Sequence, residues 1–458
     1  MNSILQSTGA IEAETRRIAE RGCIAIEMLR AEPSSERFQL AQELLLTWLL
    51  RVERRQTQLR KRRLAARVHP TPIERRVGRK PELGSIRQGH IHALKQRESA
   101  LSAQANVIRQ FGDACAWLLF GGDPCLVRSQ YLAGAAHQLP QDLEGFAPFE
   151  RMREIHQGGR FWVVANDLTR CFTRGDLTIV RAGHPGSVAI NEEIKATLIE
   201  GSNEVLASIN SVRSDDPEHS ALHDEFGEEE QRFASNTELA RDAREQRQLD
   251  RLGEGTKLAL RLIRRGGSLL PHVAHWNSVT SAVERAQSSG GAFDFPEPGV
   301  AILALRCRPT DDPKNTYQQC VKEIVEIDER HLSSETRTDV YTFLRDPDLS
   351  SLVRPIPLWD IPMTVRVTLL AQEVFLGVSI ASGTWSSAMQ DAGVTWTEEN
   401  GYWKCEWNGK KTWMSPLDVQ AWKVGAQYGQ VSPRQLAAQI RSNLEAFETE
   451  STITSVQR

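Results

Sequence analysis

Residues 166–195 read NDLTRCFTRGDLTIVRAGHPGSVAINEEIK, and the succession of strands and turns in this stretch decides the fold. The run LTIVR at 177–181 is rich in β-branched residues, which favours a β-strand. Glycine, proline and serine at 183–187 indicate a turn after it. Residues 188–195 alternate between apolar and polar, and FWVVA at 161–165 is a further apolar run upstream. Three short strands with tight connections predict a β-meander.

The alternation in the last strand divides its side chains between two faces. Ile190 and Ile194 fall on one face, which we expect to lie in the core, and Glu193 and Lys195 fall on the other. Asp176 stands at the turn that begins the preceding strand. The meander is therefore expected to bring Asp176 and Glu193 together.

Two carboxylates and a lysine are side chains with which a protein can hydrolyse a phosphate ester. Mg²⁺ is a hard cation that keeps several waters and binds one or two protein carboxylates together with phosphate oxygens. Asp176 and Glu193 are the candidate ligands of Mg²⁺ or Mn²⁺, and Lys195 is the candidate for orienting water or neutralising the transition state. The alternative is a β-hairpin with an ordinary surface Glu–Lys pair and an aspartate in a turn.

The order Gly-Asp-Leu, hairpin, Glu-Ile-Lys resembles the signature of the PD-(D/E)XK nuclease superfamily, which includes restriction and repair enzymes and many bacterial phage-defence proteins. The resemblance covers roughly residues 99–260 and implies an α/β fold with a restriction-endonuclease-like αβββαβ core. It implies that Asp176, Glu193 and Lys195 are the catalytic residues.

The same resemblance suggests residues on two helices. The first core helix of the superfamily often contributes another metal-binding acid, and Asp113, within the helical spacing of residues 103–120, is the candidate. A glutamine or basic residue on a later helix often lies near the metal or the DNA phosphates, which points to Arg244 and Gln248 in residues 238–252.

An acidic insertion at residues 213–232 departs from the superfamily pattern. Between 215 and 230 it contains eight acids and no Lys or Arg. Such a segment can inhibit the site, bind a partner or simply be solvated, and a solvated loop is the commonest case.

Composition limits the classes of protein that remain. The 458 residues include 56 Lys and Arg against 59 Asp and Glu, a net charge of −3, so the total charge does not indicate nucleic-acid binding. Locally, residues 51–80 contain twelve Lys or Arg against Glu53 and Glu74. This basic segment is a solvated helix end with a linker, which is slightly favoured, or a contact to DNA phosphates.

Cysteine usage and hydropathy point to a reducing compartment. The seven cysteines are scattered and form no Cys-x-x-Cys pair, so neither a disulfide framework nor a zinc site is supported. The sequence lacks the pattern of a secretory leader and an apolar run long enough to cross a bilayer. We therefore expect a cytoplasmic protein that does not contact a membrane.

We expect three regions along the chain. Residues 1–95 are predicted as a helical N-terminal region, 96–265 as the nuclease-like domain, and 266–458 as a C-terminal α+β domain with a Trp-rich hairpin. Apolar spacing predicts helices at 36–68 and 89–120.

The C-terminal region has its own predicted elements. Strands are expected at 300–305 and 365–370, and Asn408-Gly409 indicates a tight hairpin turn. Six of the eleven Trp lie between 385 and 422. They most often build a small core; the alternative is that the hairpin, with Lys404, Lys410 and Lys411, stacks on nucleic acid.

The leading hypothesis is a metal-dependent phosphodiesterase that acts on DNA with Mg²⁺ or Mn²⁺. By analogy with its superfamily it would be a bacterial defence or DNA-processing effector, with a possible protein partner and a possible oligomer. The competing hypothesis is an inactive nuclease-fold protein that binds nucleic acid or another protein. Hydrolysis of a different phosphate ester is a third possibility.

Overall fold

The structure is a computed structural model that describes most of the first 198 residues and separate stretches after them. The described residues are 7–68, 81–131, 139, 146–173, 175–184, 189–198, 205–211, 275–307, 322, 338–342, 354–381, 383–414, 419, 422–423, 425–426 and 430–450. The predicted acidic insertion at 213–232 and the predicted helix at 238–252 lie outside them.

Long helices form the N-terminal part: α1 (Thr8–Ala31), α2 (Ser35–Val68) and α3 (Pro81–Leu119). Helix α2 buries an apolar stripe that includes Phe38 and Leu49 and packs along α3. The helices predicted at 36–68 and 89–120 are thereby confirmed.

A short helix, α4 (Pro124–Ser129), and then α5 (Ala147–Gly158) lead into the first sheet. Gly159 caps the C-terminus of helix α5, and its positive φ of 72° suits a residue without a Cβ. Helix α5 packs against the first and third strands of the sheet.

The first sheet is an antiparallel meander in the order β1 (Phe161–Ala165), β2 (Leu177–Arg181), β3 (Ile190–Leu198) and β4 (Val205–Ser211). The predicted three-stranded meander is confirmed at these positions, with Leu177 opposite Glu192. Strand β4 follows β3 directly as its antiparallel neighbour, whereas the αβββαβ pattern has a helix next. The remaining helix and strand of that pattern would fall on residues outside the described part.

A second sheet has the order β5 (Gly291–Glu297), β6 (Val300–Arg306), β8 (Val374–Ala381) and β7 (Thr338–Thr342). Helix α6 (Trp276–Ser289) precedes it.

Helix α7 (Met363–Leu370) occupies the place where a strand was predicted at 365–370, and that prediction was wrong. Residues 365–370 are all buried, including Arg366 and Thr368, so the alternation of apolar and polar residues that suggested a strand does not mark a buried and an exposed face.

The C-terminal part contains α8 (Thr384–Asp391), the meander β9 (Thr395–Glu399), β10 (Tyr402–Trp407) and β11 (Lys410–Met414), and α9 (Pro433–Glu450). The turn between β10 and β11 has positive φ at both central residues, Asn408 (48°) and Gly409 (78°), which confirms the predicted hairpin.

The tryptophans of this part behave mainly as core residues. Trp403 and Trp422 are almost fully buried and lie in one apolar cluster, with Trp385 and Trp396 packed against it. Trp413 differs from them, since it is 52% exposed.

A larger apolar cluster unites buried side chains from α1, α2, α3, the first sheet and the second sheet. The division predicted at residues 95 and 96 falls inside α3, so the N-terminal helices and the first sheet share one core. Within the described part of the chain, no helix is long and apolar enough to cross a membrane.

Candidate active site

Asp176 is held by its backbone and by its carboxylate at the edge where β2 begins. Its N–H donates to the Glu192 carbonyl at 2.7 Å, and its carbonyl accepts from the Asn166 N–H at 2.9 Å. Its Oδ2 accepts from the Ile194 N–H at 2.6 Å. Three contacts, one from the turn after β1 and two from β3, therefore fix both the main chain and the carboxylate of Asp176.

Glu193 lies beside Asp176 across the two strands. Leu177 pairs with Glu192, so the next step along the register places Asp176 opposite Glu193. Like charges directly opposite each other are unfavourable, more so where water is partly excluded.

The electrostatic surroundings of Asp176 are dominated by acids. Burial, the negative charge of Glu193 and, to a smaller extent, the charges of Asp167 and Glu192 together raise the pKa of Asp176 to about 8. The hydrogen bond from Ile194 acts in the opposite direction. Two neighbouring carboxylates that repel each other are stabilised by a cation between them. Their oxygens are the hard donors that suit Mg²⁺ or Mn²⁺.

The other predicted site residues are only partly described. Lys195 lies on β3, two positions after Glu193, and its backbone pairs with Ser208 of β4. Its side chain is outside the described part of the chain, and so are Arg244 and Gln248 entirely.

Asp113 is occupied elsewhere, which is a correction to its predicted place in the metal site. Its buried carboxylate accepts hydrogen bonds from the backbone N–H groups of Arg170 and Cys171 and from the Arg170 guanidinium, with N–O distances of 2.6–3.1 Å. Among the described residues, no group of three or more His, Cys, Asp or Glu could hold a metal ion. Asp113 therefore anchors the loop between β1 and β2 and does not join Asp176 and Glu193.

Glu192 and Asp167 are near enough for their charges to raise the pKa of Asp176, and neither was singled out from the sequence. Glu192 is fully buried, and its carboxylate faces the Arg151 guanidinium of α5 at 3.4 and 3.5 Å. Its place on the Ile190 and Ile194 face, where a charge is unexpected, is the sequence signal that could have identified it.

A buried polar chain lies behind Asp176. The Thr178 hydroxyl is 3.0 Å from the side-chain oxygens of both Asn166 and Asn191, and the Asn166 amide nitrogen donates to the Gly175 carbonyl at 3.0 Å. All three side chains are almost fully buried.

A single hydroxyl hydrogen can serve only one of those two oxygens. As oriented, the Asn191 Nδ2 is buried without a partner among the described residues. Turning the amide lets Nδ2 donate to Thr178, whose hydroxyl then donates to Asn166, and we assign it so. This series of hydrogen bonds ends at the Gly175 carbonyl and so helps to fix the residue before Asp176.

Comparison with known proteins leaves this geometry as the main guide to function. No protein-family model matches the chain, and neither a curated protein nor a solved structure matches it.

Proposed function

We propose that the chain is a metal-dependent phosphodiesterase that hydrolyses DNA, with Asp176 and Glu193 as the ligands of Mg²⁺ or Mn²⁺. The observation that carries the proposal is the position of Asp176 opposite Glu193 in the register of β2 and β3, where burial and the neighbouring acids raise the pKa of Asp176 to about 8. A divalent cation at this place would relieve the repulsion that the fold imposes on them.

The ligand set consists of two carboxylates, and water and phosphate oxygens would complete it, as Mg²⁺ prefers. When bound, such a cation polarises the phosphate and acidifies water. The Ile194 N–H holds Oδ2 of Asp176, which leaves Oδ1 as the oxygen available for the cation. Asp113 is left out of the set because Arg170 and the loop backbone use its carboxylate.

Lys195 is proposed to orient the attacking water or to neutralise the phosphate charge. Residues two apart on a strand share a face, so its position on β3 is on the Glu193 side. The choice of DNA as substrate, contacts from Arg244 and Gln248, and a role as a bacterial defence effector depend on the superfamily resemblance alone.

Cleavage of plasmid and linear DNA tests the proposal. Purified protein with Mg²⁺ or Mn²⁺ is expected to cut DNA, and Asp176→Asn, Glu193→Gln and Lys195→Ala are each expected to lower the rate by about a hundredfold or more. Glu399→Gln, an exposed acid on β9, is the matched control and should retain the wild-type rate. Cleavage that survives both Asp176→Asn and Lys195→Ala would contradict the assignment of this site.

A non-catalytic protein that binds nucleic acid is the second candidate. It is favoured by the finding that the described residues offer no cluster of three metal-binding side chains. DNA binding with no cleavage under any metal condition would select this candidate over the phosphodiesterase.

A further inference from the structure

Helices α2 and α3 run antiparallel and bring residues 60–68 of one beside residues 87–98 of the other. Arg63 pairs with Glu98 at 2.7 Å. Arg87 donates to the Ala66 carbonyl at 2.8 Å and also to the Arg67 carbonyl. These two segments are called the helical tip below.

The helical tip is strongly basic although the chain as a whole is acidic. Its two segments contain eight Lys or Arg and one Glu, a net charge of +7, whereas the whole chain carries −3. The Glu is Glu98, and its charge is already matched by Arg63. A concentration of one sign against the overall balance indicates a partner of the opposite sign.

Most of these cations are available to a partner. Arg60, Lys61, Arg62, Arg67 and Lys95 are all exposed. By contrast, Arg51 and Arg55, further back on α2, face Glu14 of α1. No ion pair joins the five exposed cations of the tip to another residue in the described part of the chain, so their charge is not neutralised there.

We propose that the helical tip binds the phosphate backbone of duplex DNA, as a docking surface separate from the Asp176–Glu193 site. Residues 87–98 rise by about 18 Å along α3, over which a duplex carries about ten phosphate charges. Six of the eight cations are arginines, whose planar guanidinium bonds phosphate oxygens in pairs.

An anionic membrane is the competing polyanion, and the tip fits it less well. Leu64 and Val68 are exposed there. Helices that lie on membranes typically insert Trp, Phe or Leu from a broad apolar face, and the two segments contain no Trp, Phe or Tyr. Backbone binding also needs no base contacts, which suits a surface whose charged side chains are nearly all cations.

Binding of a fluorescein-labelled 24-base-pair duplex, measured by fluorescence anisotropy in EDTA at several NaCl concentrations, tests the proposal with the full chain. The tip variant combines four exposed substitutions: Arg60→Gln, Lys61→Gln, Arg62→Gln and Lys95→Gln. The control variant removes the same charge at exposed positions elsewhere: Arg17→Gln, Arg21→Gln, Arg306→Gln and Arg434→Gln.

The tip variant is expected to bind at least about tenfold more weakly at 100 mM salt, and its plot of log affinity against log salt should be shallower by about 3. The control variant should stay close to wild type in both quantities. If circular dichroism shows that the fourfold tip variant does not fold, two double variants replace it: Arg60→Gln/Lys61→Gln and Arg62→Gln/Lys95→Gln. Each double variant should show about half of the expected change in the salt slope.

Equal losses in the tip and control variants would overturn the proposal, because total charge would then explain binding. If the tip variant instead lost the binding of wild type to vesicles with 30% phosphatidylserine, while its duplex binding stayed unchanged, the tip would be assigned to a membrane. That result would also overturn the proposal. The measurement needs no hydrolysis. Tip-dependent binding without cleavage would therefore reject only the proposed activity, and cleavage with tip-independent binding would reject only this inference.

Discussion

Asp176 combines a buried carboxyl group with acidic neighbours, and the consequence is a pH dependence of stability. Its pKa in the folded protein is about 8, against an ordinary value of 3.8. Between these values the folded protein keeps a proton that the unfolded chain releases, so stability from this group falls as the pH rises from about 4 to about 8.

Asp176→Asn should remove this loss, because the amide carries no charge and its oxygen can still accept from Ile194. In metal-free buffer the melting temperature of the variant should match wild type near pH 4 and exceed it by several degrees at pH 8, since each pKa unit is worth about 1.4 kcal/mol. Thermal melts from pH 4 to 9 measure this, with Glu399→Gln as the control. A difference that does not change with pH would contradict the effect.

Thr178 is the central residue of the buried polar chain, with Asn166 and Asn191 on its two sides. Thr178→Val keeps the shape of the side chain but leaves both amides without the hydroxyl. We expect a loss of about 1–3 kcal/mol in the free energy of unfolding, measured by urea titration. Thr178→Ser, which retains the hydroxyl, should lose less than the valine variant; equal losses for both would show that the methyl group matters and the hydrogen bonds do not.

At the level of secondary-structure elements, one glycine sets how closely α3 approaches the turn after β1. A Cβ on Gly112 would lie 2.0 Å from the Leu168 carbonyl oxygen. That turn, Asn166–Leu168, carries Asn166 and Asp167 beside Asp176. Helix α3 therefore contacts the turn beside the candidate site directly. The contact is with the backbone of Leu168, which cannot move aside as a flexible side chain could.

Gly112→Ala should push α3 and the turn apart and cost about 1–3 kcal/mol in the free energy of unfolding. The proposed DNA cleavage should fall as well, because Asn166 positions Asp176. Gly89→Ala is the matched control on the same helix, where a Cβ meets nothing within 4 Å, and it should be neutral or stabilising by up to about 1 kcal/mol. Urea titration of both variants checks this, and equal stabilities would contradict it.

On the scale of the whole molecule, the N-terminal helices are bound to both sheets. Salt bridges from α1 reach residues near the second sheet: Arg16 to Glu373 at 2.6 Å and Arg30 to Asp360 at 2.8 Å. Glu27 of α1 also pairs with the buried Arg366 of α7 at 2.5 Å. The larger apolar cluster runs through all of these elements.

A fragment of residues 96–265 should therefore not fold on its own. It begins within α3 and lacks α1 and α2, so buried α3 side chains such as Phe111 and Leu101 would face water. We expect no cooperative thermal transition by circular dichroism. A transition near the melting temperature of the full chain would show that the nuclease-like region is an independent domain.

Local patterns were sufficient for several parts of the fold. The strands at 161–165 and 177–181 were predicted with the bounds that the structure has, because β-branched runs between turn residues leave few alternatives. The Asn408-Gly409 turn was predictable because few residues tolerate positive φ at both of its central positions. The prediction failed at α7, because Arg366 and Thr368 are buried like their apolar neighbours and the alternation in the sequence therefore did not mark a strand face.

The candidate site was predictable in part. The place of Asp176 before β2 and of Glu193 on β3 follows from alternation and turn spacing, which are local properties. Two contacts could not be predicted: the hydrogen bond from Arg170 to the Asp113 carboxylate and the burial of Glu192 against Arg151. The paired residues are 57 positions apart in the first contact and 41 in the second.

The sequence by itself determined the meander, the long helices and the opposition of Asp176 and Glu193, since these depend on residues close together in the chain. Only the tertiary structure decided which acids remain beside Asp176, which acid anchors a loop, and how the basic segments of α2 and α3 combine into one surface. The physical reason is that a strand or a turn is specified by its own residues, whereas the partner of a buried or exposed charge is specified by packing between distant segments.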